Sequence, residues 1–243
     1  MIIGLSGKIA SGKSTIAHLL ASRPEVSPAE VVPFSKELRK EVDSIIHIIT
    51  LTARQDDGKK LALAAAHDYA TASAPKDAVE SVVDCLHDPV VNGEVTSSKQ
   101  RTPEVRRALQ LWGTEVRRAQ NEQYWVDAFL DSAFKSQVST VCDDVRFPNE
   151  AKAILAQGFP VVRIEVPESV RTERLRGRDG VRVDLASQHA SETSLDDFDA
   201  FTYVHPVQPS ETPQDTASSI IEALKEKGFI LPEGGWFCFV GSE

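Results

Sequence analysis

An eight-residue motif near the N-terminus could bind the phosphates of a nucleotide. Gly7-Lys8-Ile9-Ala10-Ser11-Gly12-Lys13-Ser14 fits the pattern G-x-x-x-x-G-K-[ST] without a mismatch. An apolar run at residues 2–6 precedes the motif and a helical pattern at residues 13–22 follows it, which predicts a strand, a loop and a helix. Glycines let the backbone approach phosphate oxygens closely, and successive N–H groups at a helix N-terminus bind anions.

The residue types in this motif predict a nucleotide site at residues 7–15. We expect the Lys13 ammonium to reach the β- and γ-phosphates and the Ser14 hydroxyl to bind Mg²⁺, so ATP and Mg²⁺ are the expected cofactors. The motif leaves kinases, GTPases and motor ATPases open, but the chain has no Asn-Lys-x-Asp guanine signature, which disfavours a GTPase. The expected nucleotide-binding residues are Gly7, Lys8, Ala10, Ser11, Gly12, Lys13, Ser14 and Thr15.

A pair of carboxylates, Asp143 and Asp144, follows the predicted strand 138–142. Ligands of an open parallel sheet bind outside the carboxyl ends of its strands, so we expect one of the two near the phosphates. It would hold the water shell of Mg²⁺ or orient an acceptor phosphate. The alternative is a helix N-cap or an ordinary loop carboxylate. Arg146 and Glu150 come within the next few residues and make this strand exit unusually polar.

An arginine-rich segment at about residues 171–185 predicts a mobile lid. It contains Arg171, Arg174, Arg176, Arg178 and Arg182, with Gly177 and Gly180 between them. Arginine neutralises a transferring phosphoryl group through two parallel hydrogen bonds, and glycines let a loop open and close. We assign Arg174 and Arg178 to catalysis, and the alternative is a solvated basic helix end.

Short apolar segments alternate with helical patterns along the chain, which predicts an α/β fold. The predicted strands are 2–6, 31–34, 138–142, 161–166 and 201–204. This alternation is typical of a parallel sheet with helices on both faces, here the three-layer fold of a P-loop kinase. The prediction is a single P-loop kinase domain, 1–243, with a core of 1–34 and 137–228, a helical acceptor-binding insertion of 35–136, the lid, and a C-terminal tail of 229–243.

One helix of the insertion has a polar face. Helical spacing puts Arg106, Gln110, Gly113 and Arg117 on the same side. Two arginines, a glutamine and a gap at the glycine could hold a phosphate and a base. The alternative is a solvent-exposed face whose arginines pair with neighbouring glutamates, and the spacing alone favours that alternative.

Three further segments carry a family resemblance. They are Arg106–Glu115 (RRALQLWGTE), Tyr124–Val126 (YWV) and Asp144–Glu150 (DVRFPNE). Together with the glycine-rich motif and Lys36, they resemble the deoxynucleoside monophosphate kinases of tailed bacteriophages over roughly residues 2–225. The resemblance implies Mg²⁺-assisted, in-line transfer of the ATP γ-phosphate to a deoxynucleoside monophosphate (dNMP), which gives a diphosphate for phage DNA synthesis.

The resemblance also implies where the acceptor binds. Asp144 would be the carboxylate nearest the acceptor and, together with Ser14, a ligand of Mg²⁺. Arg106 and Arg146 would bind phosphate, and Trp125 would offer a surface to the base. By this resemblance, the acceptor site would consist of Lys36, Arg106, Gly113, Thr114, Trp125, Asp144, Arg146 and Glu150, and the polar helix face adds Gln110 to the predicted site. Ala10 departs from the family pattern, because relatives often carry a basic residue at this position.

Two alternatives stay open. One is a related P-loop kinase with another acceptor, such as a phosphomevalonate-like substrate or a modified base in DNA. The other is an ATPase that uses the nucleotide for regulation. The arginine-rich segment and the polar helix face favour a kinase over such an ATPase, because two anionic sites suit two phosphorylated substrates.

The amino-acid composition disfavours some classes of binding partner. The 243 residues include 27 Lys and Arg and 36 Asp and Glu, and the net charge of −9 disfavours nonspecific binding to DNA or an anionic membrane. Three cysteines without metal-type spacing suggest a reducing compartment. No apolar run approaches the roughly 20 residues of a membrane span, and no signal peptide is recognised. We therefore expect a cytoplasmic protein (in the host cytoplasm, if phage-encoded) that binds ATP and a dNMP but no membrane or polymeric nucleic acid, with a homodimer left open.

Overall fold

The computed structural model describes residues 1–71, 73–176, 193–208 and 210–230. The chain divides into two compact units, one formed by Met1–Pro33 with Leu130–Glu243 and the other by Phe34–Phe129. The predicted single kinase domain, with its core of 1–34 and 137–228 and its insertion of 35–136, stays a prediction. No helix in the described ranges is both long and apolar enough to cross a membrane.

The first unit is built on a five-stranded parallel sheet, which confirms the predicted α/β fold class. Its strands are β1 (Ile2–Ser6), β2 (Ala29–Val31), β3 (Ser139–Val145), β4 (Val161–Glu165) and β5 (Tyr203–Pro206), in the order β2-β3-β1-β4-β5. Three predicted strands differ by two residues or more: β2 ends at Val31 although strand 31–34 was predicted, β3 continues three residues past Cys142, and β5 covers Tyr203–Pro206 although strand 201–204 was predicted. The five residues of β1 are all buried, as expected for a central strand between two helical layers.

Helices cover both faces of this sheet. They are α1 (Lys13–Ala21), α7 (Pro148–Ala156) and α9 (Pro213–Glu226), and a further helix, α8 (Glu168–Arg176), follows β4 along the chain. Ile3 and Leu5 of β1 belong to one apolar cluster with residues of α1 and α9. A Cβ at Gly4, which points to the opposite face, would lie 3.0 Å from the side chain of Ile154 in α7. The α1–α9 pair and α7 therefore lie on opposite faces, which gives an α/β/α arrangement.

The second unit is helical. Its elements are α2 (Ser35–Thr52), α3 (Gly58–Ala70), α4 (Lys76–Val91), α5 (Pro103–Gln110), a π-helical segment (Leu111–Arg118) and the first part of α6 (Tyr124–Lys135). The start of α5 follows from its sequence, because the Thr102 hydroxyl accepts a hydrogen bond from Val105 N–H and Pro103 occupies the first position. A core of aliphatic residues from α2, α3 and α4 surrounds Trp112 and Trp125.

Candidate functional site

The glycine-rich loop joins β1 to α1, as the motif predicts. Gly12 has φ = +88°, in the left-handed region that favours glycine, and α1 begins at the next residue. A Cβ at Gly7 would lie 2.6 Å from the backbone oxygen of Ile164 in β4. Glycine is therefore needed at the two positions for different reasons. Gly12 makes the turn into the helix, and Gly7 lets the loop pass close to the neighbouring strand.

The ammonium of Lys13 is folded back onto this loop. It donates to the backbone oxygens of Gly7 and Lys8, the latter at 3.0 Å, and to the Ser11 hydroxyl at 3.3 Å. Only 8% of Lys13 is exposed. The loop thus holds a nearly buried cation by its own carbonyl oxygens, and an anion bound at the loop would find this charge already in place.

The end of β3 delivers two consecutive carboxylates to the same place. Strand residues normally alternate between faces, so Asp143 and Asp144 would be expected to point apart. The register of β1 with β3 shifts between Gly4 and Ser6, which pair with Cys142 and Val145. Three steps along β3 thus match two along β1, which is the geometry of a bulge that re-aims side chains. Both carboxylates consequently line one 190 Å³ cavity together with the loop.

Asp143 is the carboxylate that contacts the loop directly. The Ser14 hydroxyl donates to Asp143 Oδ2 at 2.5 Å. Asp144 Oδ1 accepts from the Cys142 thiol at 3.4 Å, and burial, the largest cause, together with the Asp144 charge holds the Cys142 pKa well above its ordinary value. The sequence had paired Ser14 with Asp144 as Mg²⁺ ligands, whereas the structure records the contact to Asp143.

The strand order places this cavity at a switch point of the sheet. From β1 the chain runs through α1 to β2 on one side, whereas from the adjacent β3 it runs through α7 to β4 on the other. Because these two connections leave on opposite faces, a crevice opens between the carboxyl ends of β1 and β3. The glycine-rich loop and the Asp143–Asp144 pair are the segments that leave those ends, so the crevice is the expected ligand site of such a sheet.

Arg146 lines the same cavity, and Glu150 holds the chain that carries it. The Glu150 carboxylate accepts from the backbone N–H groups of Arg146 at 2.8 Å and Phe147 at 3.1 Å. Glu150 is only 2% exposed. In the structure Glu150 therefore fixes the strand exit and the start of α7, while Asp144 and Arg146 are the predicted acceptor residues that lie beside the loop.

Helix α8, which contains the first residues of the predicted lid, reaches the other side of the loop. Arg174 Nη1 donates to the Ala10 backbone oxygen at 3.1 Å. Arg174 also lines a second cavity of about 410 Å³, whose opposite wall includes Val207 and Pro213. Arg178 and residues 177–185 of the predicted lid lie outside the described residues, as do residues 231–243 of the predicted tail.

Lys8, although predicted to bind nucleotide, has a protein partner. Its ammonium pairs with Asp196 at 2.8 Å, and Arg163 of β4 pairs with the same carboxylate at 2.9 Å. Burial would raise the pKa of Asp196, but hydrogen bonds from the two cations outweigh it and lower that pKa. Lys8 thus ties the loop to the segment that follows the predicted lid.

The remaining predicted acceptor residues belong to the helical unit, and some of them are packed there. Trp125 is 3% exposed, and its Nε1 donates to the Gly113 backbone oxygen at 2.9 Å. A Cβ at Gly113 would lie 3.1 Å from Leu38, so Leu38 fills the gap expected at the glycine. The residues with accessible surface are Lys36, which is half-buried, and Arg106, Gln110 and Thr114, which are exposed. The role of this set in acceptor binding stays a prediction.

Arg117 does not lie on the predicted polar face. The chain is π-helical from Leu111 to Arg118, and its wider turn ends the α-helical spacing on which that face depends. Arg117 is 5% exposed and pairs with Glu41 at 2.7 Å, which makes it part of the core of the helical unit. The sequence carries no signal for a π-helix here.

Comparison with known proteins adds no relative. No protein-family model matches the chain, and no curated protein matches it either.

Proposed function

We propose that this protein transfers the γ-phosphoryl group of ATP to a deoxynucleoside monophosphate. The observation that carries the proposal is the cavity at the sheet's switch point, where a glycine-rich loop with a nearly buried lysine meets two carboxylates and Arg146. A phosphoryl-transfer site needs cations for the transferred group, hard oxygen ligands for Mg²⁺ and a second anion site for the acceptor. The loop lysine can supply the cation, the two carboxylates can supply the oxygen ligands of Mg²⁺, and Arg146 can bind the anionic acceptor.

The residues beside the loop fit Mg²⁺. The ion prefers oxygen ligands, and it is usually held by one or two carboxylates together with substrate phosphates and water. The Ser14 hydroxyl and the Asp143 carboxylate supply such oxygens, and Asp144 lines the same cavity. The described residues contain no cluster of three or more metal-binding side chains, which agrees with an ion held partly by its substrate. When bound, Mg²⁺ would neutralise charge on the β- and γ-phosphates.

The loop would bind the donor phosphates and place Lys13 against them. Its backbone N–H groups and the N-terminus of α1 attract anionic oxygens. A γ-phosphate at the loop would compete with the Gly7 and Lys8 carbonyl oxygens for the Lys13 ammonium. Lys13 would then stabilise the negative charge that spreads over the transferred group.

On the other side of the loop, the 410 Å³ cavity suits the nucleoside of ATP. Its volume lies in the range of about 300–1,000 Å³ that is typical of small-molecule sites. The planar guanidinium of Arg174 can stack on a base, and Val207 and Pro213 offer an apolar wall.

The acceptor would bind on the β3 side of the loop. Arg146 lines the first cavity beside Asp144, and a guanidinium there can hold a monophosphate through two parallel hydrogen bonds. A phosphate oxygen is already an anionic nucleophile, so the transfer requires no strong general base. The deoxynucleoside part of the proposal rests on the sequence resemblance, in particular on Asp144–Glu150 and Arg106–Glu115.

A coupled assay of ADP release tests the reaction and its acceptor together. ATP and Mg²⁺ are supplied with dGMP, dTMP, dCMP or dAMP, with the ribonucleotide counterparts, or with no acceptor. We expect ADP release to depend on at least one deoxynucleoside monophosphate. ADP release at the same rate without any acceptor would instead identify a nucleotide-dependent ATPase.

Arg146→Ala should raise the KM for the dNMP at least tenfold while changing the KM for ATP less than threefold, because a bidentate charged contact contributes about 1.5–3 kcal/mol. The matched control is Arg107→Ala, which removes an exposed arginine of α5. Initial rates with each substrate varied in turn measure both constants. Equal effects on the two KM values would contradict the assignment of Arg146 to the acceptor.

Asp143→Asn should raise the Mg²⁺ concentration for half-maximal activity by about 10- to 100-fold, because it removes a charge next to the Ser14 hydroxyl but keeps the shape of the side chain. Asp144→Asn tests the carboxylate that the sequence had assigned, and it should change this concentration less. Asp131→Asn, on the exposed surface of α6, is the control. If Asp144→Asn alone weakens the Mg²⁺ dependence, the assignment of Asp143 is wrong.

A further inference from the structure

A carboxylate that no step of the proposed reaction uses lies in the wall of the 410 Å³ cavity. Glu211 belongs to the segment between β5 and α9, and it faces the same space as Arg174, Thr15 and Ile16. Its side chain is 11% exposed. A carboxylate this buried is retained in a pocket wall only when hydrogen bonds hold it.

Three donors fix the Glu211 carboxylate. His205 Nε2 contacts Oε1 at 2.6 Å and the Thr216 hydroxyl donates to Oε1 at 2.7 Å, while Gln208 N–H donates to Oε2 at 2.9 Å. The imidazole of His205 is itself fixed by the Tyr203 hydroxyl, 3.2 Å from its other ring nitrogen. The carboxylate plane is therefore set by both the last strand and the first turn of α9.

This carboxylate can form few further hydrogen bonds, and it would be the acceptor in each of them. A carboxylate has about four lone-pair positions, and donors of the residues that the structure describes take three of them. Burial alone would raise the pKa of Glu211, but the hydrogen bonds from Gln208 N–H, Thr216 and His205 outweigh it and lower that pKa. The group is thus ionised at neutral pH, and it can only accept hydrogen bonds. One acceptor position is left, on Oε2.

We infer that Glu211 selects the base of the nucleotide bound in this cavity, by accepting one hydrogen bond from the exocyclic amino group of a 6-aminopurine. A guanine base would offer its N1–H and 2-amino donors as a pair, and such a pair needs acceptor positions on both carboxylate oxygens. Oε1 already accepts from two donors, so it has none to give. A 6-oxo group placed against the carboxylate would add repulsion between two acceptors. The inference rests on the proposed nucleotide site, and it names the class of donor that the site prefers.

Equilibrium binding of ADP, GDP and IDP with Mg²⁺ tests the inference. IDP has a 6-oxo group and an N1–H where ADP has the 6-amino group and an unprotonated N1, and it lacks the 2-amino group of GDP. For the unaltered protein we expect ADP to bind at least tenfold more tightly than GDP or IDP. In Glu211→Gln, whose amide can present either an oxygen or an N–H, the ratio should fall below threefold. Asp215→Asn is the matched control, because this carboxylate caps the same helix at an exposed position and does not line the cavity. It should keep the ratio within twofold of the unaltered protein.

Thr216→Val gives an independent result if Glu211→Gln does not fold. It removes one donor from Oε1 and leaves the carboxylate. Oε1 then has an acceptor position for the guanine donors, so the preference for ADP over GDP should also fall. The inference is overturned if GDP or IDP binds as tightly as ADP, or if both variants keep the original ratio. Equal binding of the three nucleotides with intact phosphoryl transfer would remove base selection and leave the proposed function standing. No binding of any of them would overturn both.

Discussion

Lys13→Ala should lower the kcat of phosphoryl transfer by about 10²- to 10³-fold, the loss expected when one preorganised donor to transition-state charge is removed. The Lys13 ammonium lies within the loop, against the Gly7 and Lys8 carbonyl oxygens and the Ser11 hydroxyl. On the proposed function, the transferred γ-phosphoryl group would lie within reach of this cation. The substitution leaves the loop backbone in place but removes the lysine that directly follows Gly12 in the motif.

The control for this variant is Lys152→Ala, which removes an exposed lysine from α7. It should change kcat less than twofold. Circular dichroism and thermal unfolding of Lys13→Ala should stay close to those of the unaltered protein, because the Lys13 ammonium bonds to oxygens of the loop and alanine is a good helix former at the start of α1. A folded Lys13→Ala variant that keeps more than a tenth of the original kcat would contradict the role given to this loop.

Arg117→Ala should lower the free energy of unfolding by about 3–5 kcal/mol, because it leaves a buried carboxylate without its cation. Arg117 Nε donates to Glu41 at 2.7 Å, and its Nη1 donates to the Ala70 backbone oxygen at 2.8 Å. Its guanidinium also lies 4.9 Å from the ring centre of Tyr124 and 5.2 Å from that of Trp112. One side chain thus joins the end of α3, α2 and the π-helical segment.

Glu41 is the carboxylate that Arg117→Ala would leave without a cation. Besides Arg117, it accepts from Trp112 Nε1 at 2.7 Å and from the Tyr124 hydroxyl at 2.5 Å. Burial, followed by the hydrogen bond to Glu41, raises the pKa of Tyr124 to about 12. Urea unfolding followed by circular dichroism measures the loss in Arg117→Ala, and Arg107→Ala provides the exposed control. A loss below 1 kcal/mol would contradict a buried ion pair in the helical unit.

The sequence predicted the elements that a local pattern defines. The β1–loop–α1 unit follows from the spacing of Gly7, Gly12 and Lys13, and the start of α5 follows from Thr102 and Pro103. The predicted end of β3 was wrong. Polar residues at 143 and 144 indicate that the strand has ended, whereas in the structure a bulge keeps both of them in the strand. A bulge depends on pairing with a distant strand, and local sequence does not carry that information.

Two further features were not recognised from the sequence. Pro89 and Asn92-Gly93 predict a loop or hairpin at 88–100, whereas α4 continues past Pro89 to Val91. Pro89 has no N–H to donate, but this loss falls in the last turn of α4, where few helical hydrogen bonds remain to be made. The Pro89 oxygen itself accepts from Glu94 N–H and Val95 N–H. The contacts of Glu211 are the second feature: His205 and Thr216 lie only six and five residues from it along the chain, but no sequence motif marks the three as partners.

On the proposed function, the γ-phosphoryl group of ATP goes to a nucleoside monophosphate and not to water. ³¹P nuclear magnetic resonance of a reaction with ATP, Mg²⁺ and the best dNMP acceptor follows the phosphorus atoms directly. We predict that ADP and the deoxynucleoside diphosphate appear in equal amounts, with almost no inorganic phosphate, and that Lys13→Ala produces neither at a comparable rate. ADP and inorganic phosphate in equal amounts, with the dNMP signal unchanged, would contradict the claim.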